Sequence, residues 1–213
     1  MTPEHAALID GEPLPTARVN AFLEAPAGHH EHAPARRQPE APSLARQRRR
    51  WATQVIVTDE LARRACADRG LKVPEEASPL SVLAVAETDV ADLGSIVAAA
   101  LAHSPAARTL LAALEAEQTV PETAVRDYYD LNRDRFLTPE ALRQGVDPFG
   151  ETTGPEDLLP YDTARDGIAR ELRRAAGRRA FFGWLDRARS TVVYSHGHEH
   201  PGDPSHPDHE HRH

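Results

Sequence analysis

The chain is short of cysteine, aromatic residues and lysine. One cysteine, Cys66, stands among 213 residues, so no disulfide can close within the chain and the fold must rest on a packed core. No apolar run reaches the roughly 18–20 residues that a membrane-spanning helix needs. No basic stretch leading into an apolar one opens the sequence, so a secretory signal is not expected there. Together these absences point to a reducing, cytoplasmic setting. Aromatic residues make up 5%, which leaves alanine and the aliphatics to fill most of the core. Lys72 is the single lysine among 25 basic residues; beside so much alanine, the arginine bias reads as base composition. A net charge of −8 gives no general pull toward nucleic acid. Catalytic signatures are missing too: there is no glycine-rich phosphate loop, no Gly-x-Ser-x-Gly and no His-Glu-x-x-His. His29-His30-Glu31-His32 has the wrong order for the last of these. No catalytic residue is therefore assigned, and an enzyme is not expected.

What is present fits a folded core with unstructured attachments: 40% apolar residues and 18 prolines. Ala7 to Asp10 reads as a short strand stopped by Gly11 and Pro13. Thr16 is placed to cap a helix to about Glu24, with Val19, Phe22 and Leu23 inward. Residues 25–42 lack periodicity and read as a mobile loop. Ser43 then caps a helix to about Arg69, closed by Gly70, with Trp51, Val55, Thr58, Ala62 and Ala65 inward and Leu44, Ile56 and Leu61 beside them. Its Arg46, Arg48, Arg49 and Arg50 read as a solvated face, since no aromatic interleaving accompanies them. Leu80 to Ala86 fits a short extended segment. Helices follow from Thr88 or Asp89 through Ala102, and from Ser104-Pro105 to Glu117. Cys66 reads as a core thiol and His103 as structural. Residues 140–160, with Gly145, Pro148, Gly150, Gly154 and Pro155, imply a loop. A long helix spans Tyr161 to Arg189, with Ala164, Ile168, Leu172, Ala175, Phe181, Phe182, Trp184 and Leu185 on its apolar side. Thr191 to Tyr194 is a strand expected to pair with Ala7–Asp10.

Pro121 to Pro139, PETAVRDYYDLNRDRFLTP, reads as a proline-started amphipathic helix ended by Thr138-Pro139. Its Tyr128, Tyr129, Asn132, Phe136, Thr138, Pro139 and Glu140 resemble the segment before the catalytic domain of SurA/PrsA-type foldases. Leu8-Ile9-Asp10-Gly11-Glu12-Pro13-Leu14-Pro15 is similar to that family's opening strand and turn. In the family a prolyl-isomerase domain follows the Thr-Pro-Glu. Here 20 residues separate Glu140 from Tyr161, too few for a domain of roughly 50 or more. The resemblance therefore implies a non-catalytic, SurA N-terminal-like chaperone domain over residues 1–195. Its fold would be mainly α, with a two-stranded sheet joining the N- and C-terminal segments.

The remaining stretch, residues 196–213, reads HGHEHPGDPSHPDHEHRH and holds seven of the twelve histidines. His196, His198 and His200 alternate, as do His209, His211 and His213. In an extended chain alternate side chains face one way, so two or three imidazoles can meet one cation. The Pro-Gly-Asp-Pro between the arms can fold them together and add His206. A thiol-free imidazole set suits Ni²⁺, Zn²⁺ or Cu²⁺. His29, His30 and His32 would join if the chain ends meet. Two functions follow: a chaperone or maturation factor holding a client protein, which can be a metalloenzyme subunit, or a metallochaperone or metal store. A prolyl isomerase has the least support in the sequence. Neither nucleic acid nor a membrane span is expected.

Overall fold

The computed structural model describes residues 4–25, 41–74, 90–91 and 93–199. Among these the chain is mainly helical, with one small antiparallel sheet. Strands β1 (His5–Ile9) and β2 (Glu12–Pro15) lead into helices α1 (Thr16–Glu24) and α2 (Pro42–Asp68). Next come α3 (Ser95–His103), α4 (Pro105–Ala116), α5 (Glu122–Leu131), α6 (Pro139–Gln144), α7 (Tyr161–Arg189) and strand β3 (Val193–Tyr194). The chain divides into two compact units, Met1–Leu110 with Gly183–His213, and Leu111–Phe182.

In the first unit the strand order is β2-β1-β3. The expected pairing of the terminal segments is present: Ala7 faces Tyr194 and Leu8 faces Val193. The sheet has three strands, however, because Asp10-Gly11 makes a turn rather than a stop. Both residues have positive φ, 52° and 83°, and Ile9 faces Glu12 across them, the geometry of a tight two-residue hairpin. Pro13 and Pro15 are tolerated because β2 lies at the sheet edge, where a missing N–H breaks no ladder.

Helix α2 is the centre of this unit and packs against α1, α3 and β1. Every residue from Ala52 to Asp59 is buried. An eight-residue run covers about two turns, so the helix is enclosed on all sides here. Trp51 and Ala65, expected inward, are half-buried, and Leu44 is exposed. The N-cap is Ala41 rather than Ser43, with Pro42 in the first turn; proline suits that place, and no side chain caps the end. Thr16 likewise is the first residue of α1, not its side-chain cap. At the other end Gly70, φ 64°, closes α2: its N–H donates to Ala67 O and Leu71 N–H to Cys66 O.

The helix expected through Ala102 is interrupted at Gly94, whose φ of 74° leaves the helical region; α3 starts at Ser95. Ser104 is buried and its hydroxyl accepts from Ala107 N–H at 3.0 Å, so the expected cap is in place. Arg18 joins α1 to α2 through Asp59 at 2.9 Å and Glu60 at 2.6 Å. Arg64 ties Glu60 to Glu12 of the hairpin. Burial works to raise the Glu60 pKa, but the Arg18 and Arg64 hydrogen bonds outweigh it and hold it below its usual value.

In the second unit α5 ends at Leu131 with Asn132 as its C-cap, and Arg133–Phe136 continues as a 3₁₀ turn. The segment read as one helix to Pro139 is thus broken. Thr138 then starts the short helix α6, its hydroxyl accepting from Ala141 N–H at 3.2 Å. Residues 140–160 accordingly hold a helical turn and a 3₁₀ turn at Pro155–Asp157 as well as loop. Helix α7 keeps the expected bounds. Ile168 is buried, whereas Ala175 is exposed. The expected readings of 25–42 and of Leu80 to Ala86 fall almost wholly, and wholly, outside the described residues.

Two glycines of α7 separate packing from propensity. A Cβ on Gly177 would lie 2.7 Å from Glu115 Cα, while one on Gly167 meets nothing within 4 Å. Gly167→Ala should therefore stabilise by about 0.5–1 kcal/mol, and Gly177→Ala should destabilise by about 1–3 kcal/mol through backbone displacement. Urea unfolding of the two variants checks the opposite signs.

Candidate functional site

The C-terminal segment is laid along α2 by side chains. Tyr194 OH donates to Gln54 Oε1 at 2.9 Å. Arg189 donates to Thr58 Oγ1 at 2.7 Å. His198 Nδ1 lies 2.8 Å from Thr53 Oγ1. The Thr53 hydroxyl donates to Arg49 O at 2.9 Å, so its oxygen is left to accept, and Nδ1 of His198 carries the proton. The bare Nε2 of His198 meets no partner among the described residues. His198 is 1% exposed. Burial and the nearby Arg49 charge push its pKa down against the pull of Glu199, so the neutral ring is the favoured form.

His196 is placed quite differently. Its side chain is 97% exposed, with Nδ1 3.4 Å from Glu199. Gly197, φ 85°, turns the chain between the two histidines, and Glu199 Oε1 and Oε2 accept from the Gly197 N–H. The expectation that alternate histidines share a face does not hold for this pair, because the chain here is turned rather than extended. His200, His206, His209, His211 and His213 lie outside the described residues, as do His29, His30 and His32. Among the described residues no three His, Cys, Asp or Glu side chains gather in metal-binding geometry.

His103 and Cys66 occupy the structural places expected of them. The His103 ring meets Phe22 edge-on at 4.8 Å, and burial pushes its pKa down, partly offset by Asp59. The Cys66 thiol is buried and donates to Ala106 O at 3.4 Å; burial pushes its pKa up, which keeps it protonated and unreactive. Of the arginine cluster, Arg46 and Arg48 are exposed, while Arg49 and Arg50 are half-buried.

The second unit holds an aromatic cluster that spacing in the sequence does not reveal. Tyr129 stacks on Phe136 at 4.9 Å and meets Tyr161 edge-on at 5.5 Å. Arg126 lies over the Tyr161 ring at 4.0 Å. Ion pairs tie α5 and the turn after it to α7: Arg165 with Glu122 at 2.8 Å, and Arg135 with Glu171 at 2.8 Å. Tyr128 OH also donates to Glu171, and Tyr161 OH to Glu122. The Arg165 and Tyr161 hydrogen bonds hold the Glu122 carboxyl below its usual pKa. Beside the cluster is an open cleft of about 440 Å³, lined by Tyr129, Arg133, Thr153, Pro155, Pro160 and Tyr161 among others. Leu131, Leu142, Phe149 and Leu159 of the same unit are exposed.

No single helix among the described residues is long and apolar enough to cross a membrane. No family model, curated protein or solved structure matches the chain.

Two measurements follow from these contacts. Thr53→Val removes the acceptor of the buried His198 N–H, and should cost about 1–3 kcal/mol in urea unfolding. The second concerns pH. The folded-state pKa of His103 lies below its ordinary 6.5, so the unfolded chain binds the proton more readily. Stability should be full above pH 6.5 and fall as pH drops below it. Melting temperatures across this window should decline less in His103→Gln than in the parent chain.

Proposed function

We propose that the protein is a non-catalytic holding module, a chaperone or maturation factor that grips a client polypeptide and carries a histidine-rich appendage for metal. The observation that carries this reading is the second unit's surface. An open, aromatic-walled cleft stands in a unit that leaves Leu131 75%, Leu142 60% and Phe149 57% exposed. Scattered exposed leucines are ordinary; a formed cleft in the same small unit favours a binding role. The foldase-like wording of Tyr128 to Glu140 supports the same reading, as does the terminal strand pairing that joins the ends of a helical body.

The appendage is the second part of the proposal. His198 is fastened into the first unit, so the metal-binding set of Ni²⁺, Zn²⁺ or Cu²⁺ ligands is assigned to His200, His206, His209, His211 and His213, with exposed His196 beside them. A client that is itself a metalloenzyme subunit would unite both parts.

The reading is tested in two arms. The full chain should suppress heat aggregation of a model substrate protein at near-equimolar ratio, and a chain lacking 200–213 should do so equally well. Calorimetric titration with Ni²⁺ and Zn²⁺ should show binding by the full chain that the shortened chain has lost. Unimpeded aggregation ends the chaperone reading, and superimposable isotherms end the metal reading.

A further inference from the structure

The polar groups around the cleft of the second unit are nearly all spent within the protein. Tyr129 OH donates to Leu159 O at 2.6 Å. Tyr161 OH donates to Glu122, and Thr153 OH to Asp147 O. Asp157 accepts from the Gly154 N–H at 2.9 Å. Pro155 and Pro160 bring no N–H at all. Arg126 is stacked on Tyr161, Arg165 is paired with Glu122, and Arg135 with Glu171. Glu156 folds back over Gly154.

Arg133 is the exception. It lines the cleft and is half-buried, its charge acts on the Tyr129 hydroxyl, and its guanidinium makes no hydrogen bond or ion pair among the described residues. It brings five donors to a cleft otherwise lined by Tyr129, Tyr161, Thr153, Gly154, Leu158 and two prolines. An occupant is therefore asked for two things: apolar surface against the rings and prolines, and an anionic acceptor against Arg133. A sugar or nucleotide needs many donors and acceptors, which these walls do not offer. An extended peptide carrying a carboxylate beside proline or leucine meets both demands, and aromatic- and proline-walled grooves suit extended chains. A guanidinium also binds a carboxylate through two parallel N–H donors, which fixes orientation as well as position.

We infer that this cleft seats an extended client segment that presents an aspartate or glutamate carboxylate to Arg133, with neighbouring proline or aliphatic side chains against Tyr129 and Tyr161. The inference rests on the client-holding reading and gives it a recognition rule: acidic-apolar stretches are held in preference to neutral ones.

The test is isothermal titration of the full chain with acetyl-Ala-Pro-Asp-Leu-Ala-amide and with its asparagine twin. The aspartate peptide should bind about tenfold more tightly or better, the scale of one charge-assisted pair. Arg133→Gln should erase that difference, and Arg133→Lys should keep part of it, since lysine retains the charge but not the two-pronged geometry. Equal affinity for the two peptides, no binding of either, or discrimination that survives Arg133→Gln overturns the inference. The wild-type comparison stands without any variant, so a misfolded substitution does not blunt it. Aggregation suppression that persists without peptide discrimination sinks this recognition rule alone and leaves the holding function in place.

Discussion

A helix enclosed on every side cannot be amphipathic, and α2 is enclosed from Ala52 to Asp59. Four of those eight residues are polar: Thr53, Gln54, Thr58 and Asp59. Buried polar groups must be hydrogen-bonded or they cost free energy. Some partners are local, since Thr53 and Thr58 donate to the carbonyls of Arg49 and Gln54 and Arg63 pairs with Asp59, and others come from far along the chain. Arg18 of α1 serves Asp59, and His198, Tyr194 and Arg189 serve Thr53, Gln54 and Thr58. A β1–β3 pairing with only two residue pairs in register is marginal by itself. The side-chain ladder on α2 is what makes that pairing persist, because leaving it would strand polar atoms in the core. Closure of the chain ends is thus a consequence of what α2 buries.

Much of this architecture is legible in the sequence, and the reasons differ by element. The bounds of α7 follow from a long stripe between Pro160 and the β-branched run after Arg189. Gly70 and Ser104-Pro105 are unambiguous because each satisfies specific orphan groups at a helix end. The three-stranded sheet was hidden by giving Gly11 and Pro13 the weight of breakers, when Asp10-Gly11 is the strongest short hairpin signal available. The interruption at Gly94 has the same root: one glycine inside an apolar period is tolerated in a helix or ends it, and the period alone does not decide. The cap at Ser43 failed because Pro42 had already supplied a first helical turn. The seam along α2 was least legible of all, since periodicity reports which face is apolar and says nothing about a segment with no exposed face.

The second unit spends its tyrosines differently from a simple apolar core. Tyr128, Tyr129 and Tyr161 each send a hydroxyl to a protein acceptor, which fixes ring orientation. The ion pairs at Glu122 and Glu171 are solvent-exposed, so each contributes little to stability. Their value is geometric: they hold α5 and the turn at Arg133–Phe136 against α7, beside the cleft. Those contacts also place an aromatic-containing helix, read from the sequence as amphipathic, beside an open cleft.

The histidines show how one residue type divides by partner rather than by spacing. His196 and His198 belong to the same alternating run, yet one is solvent-exposed and the other is a core residue. Spacing predicts a shared face only for extended backbone, and Gly197 removes that condition. The carboxylate of Glu199 then completes the turn by accepting from the Gly197 N–H, so a residue that composition would count among metal ligands has a structural task instead. The described fold therefore includes His198 and Glu199, past the point where the change in composition would place its edge.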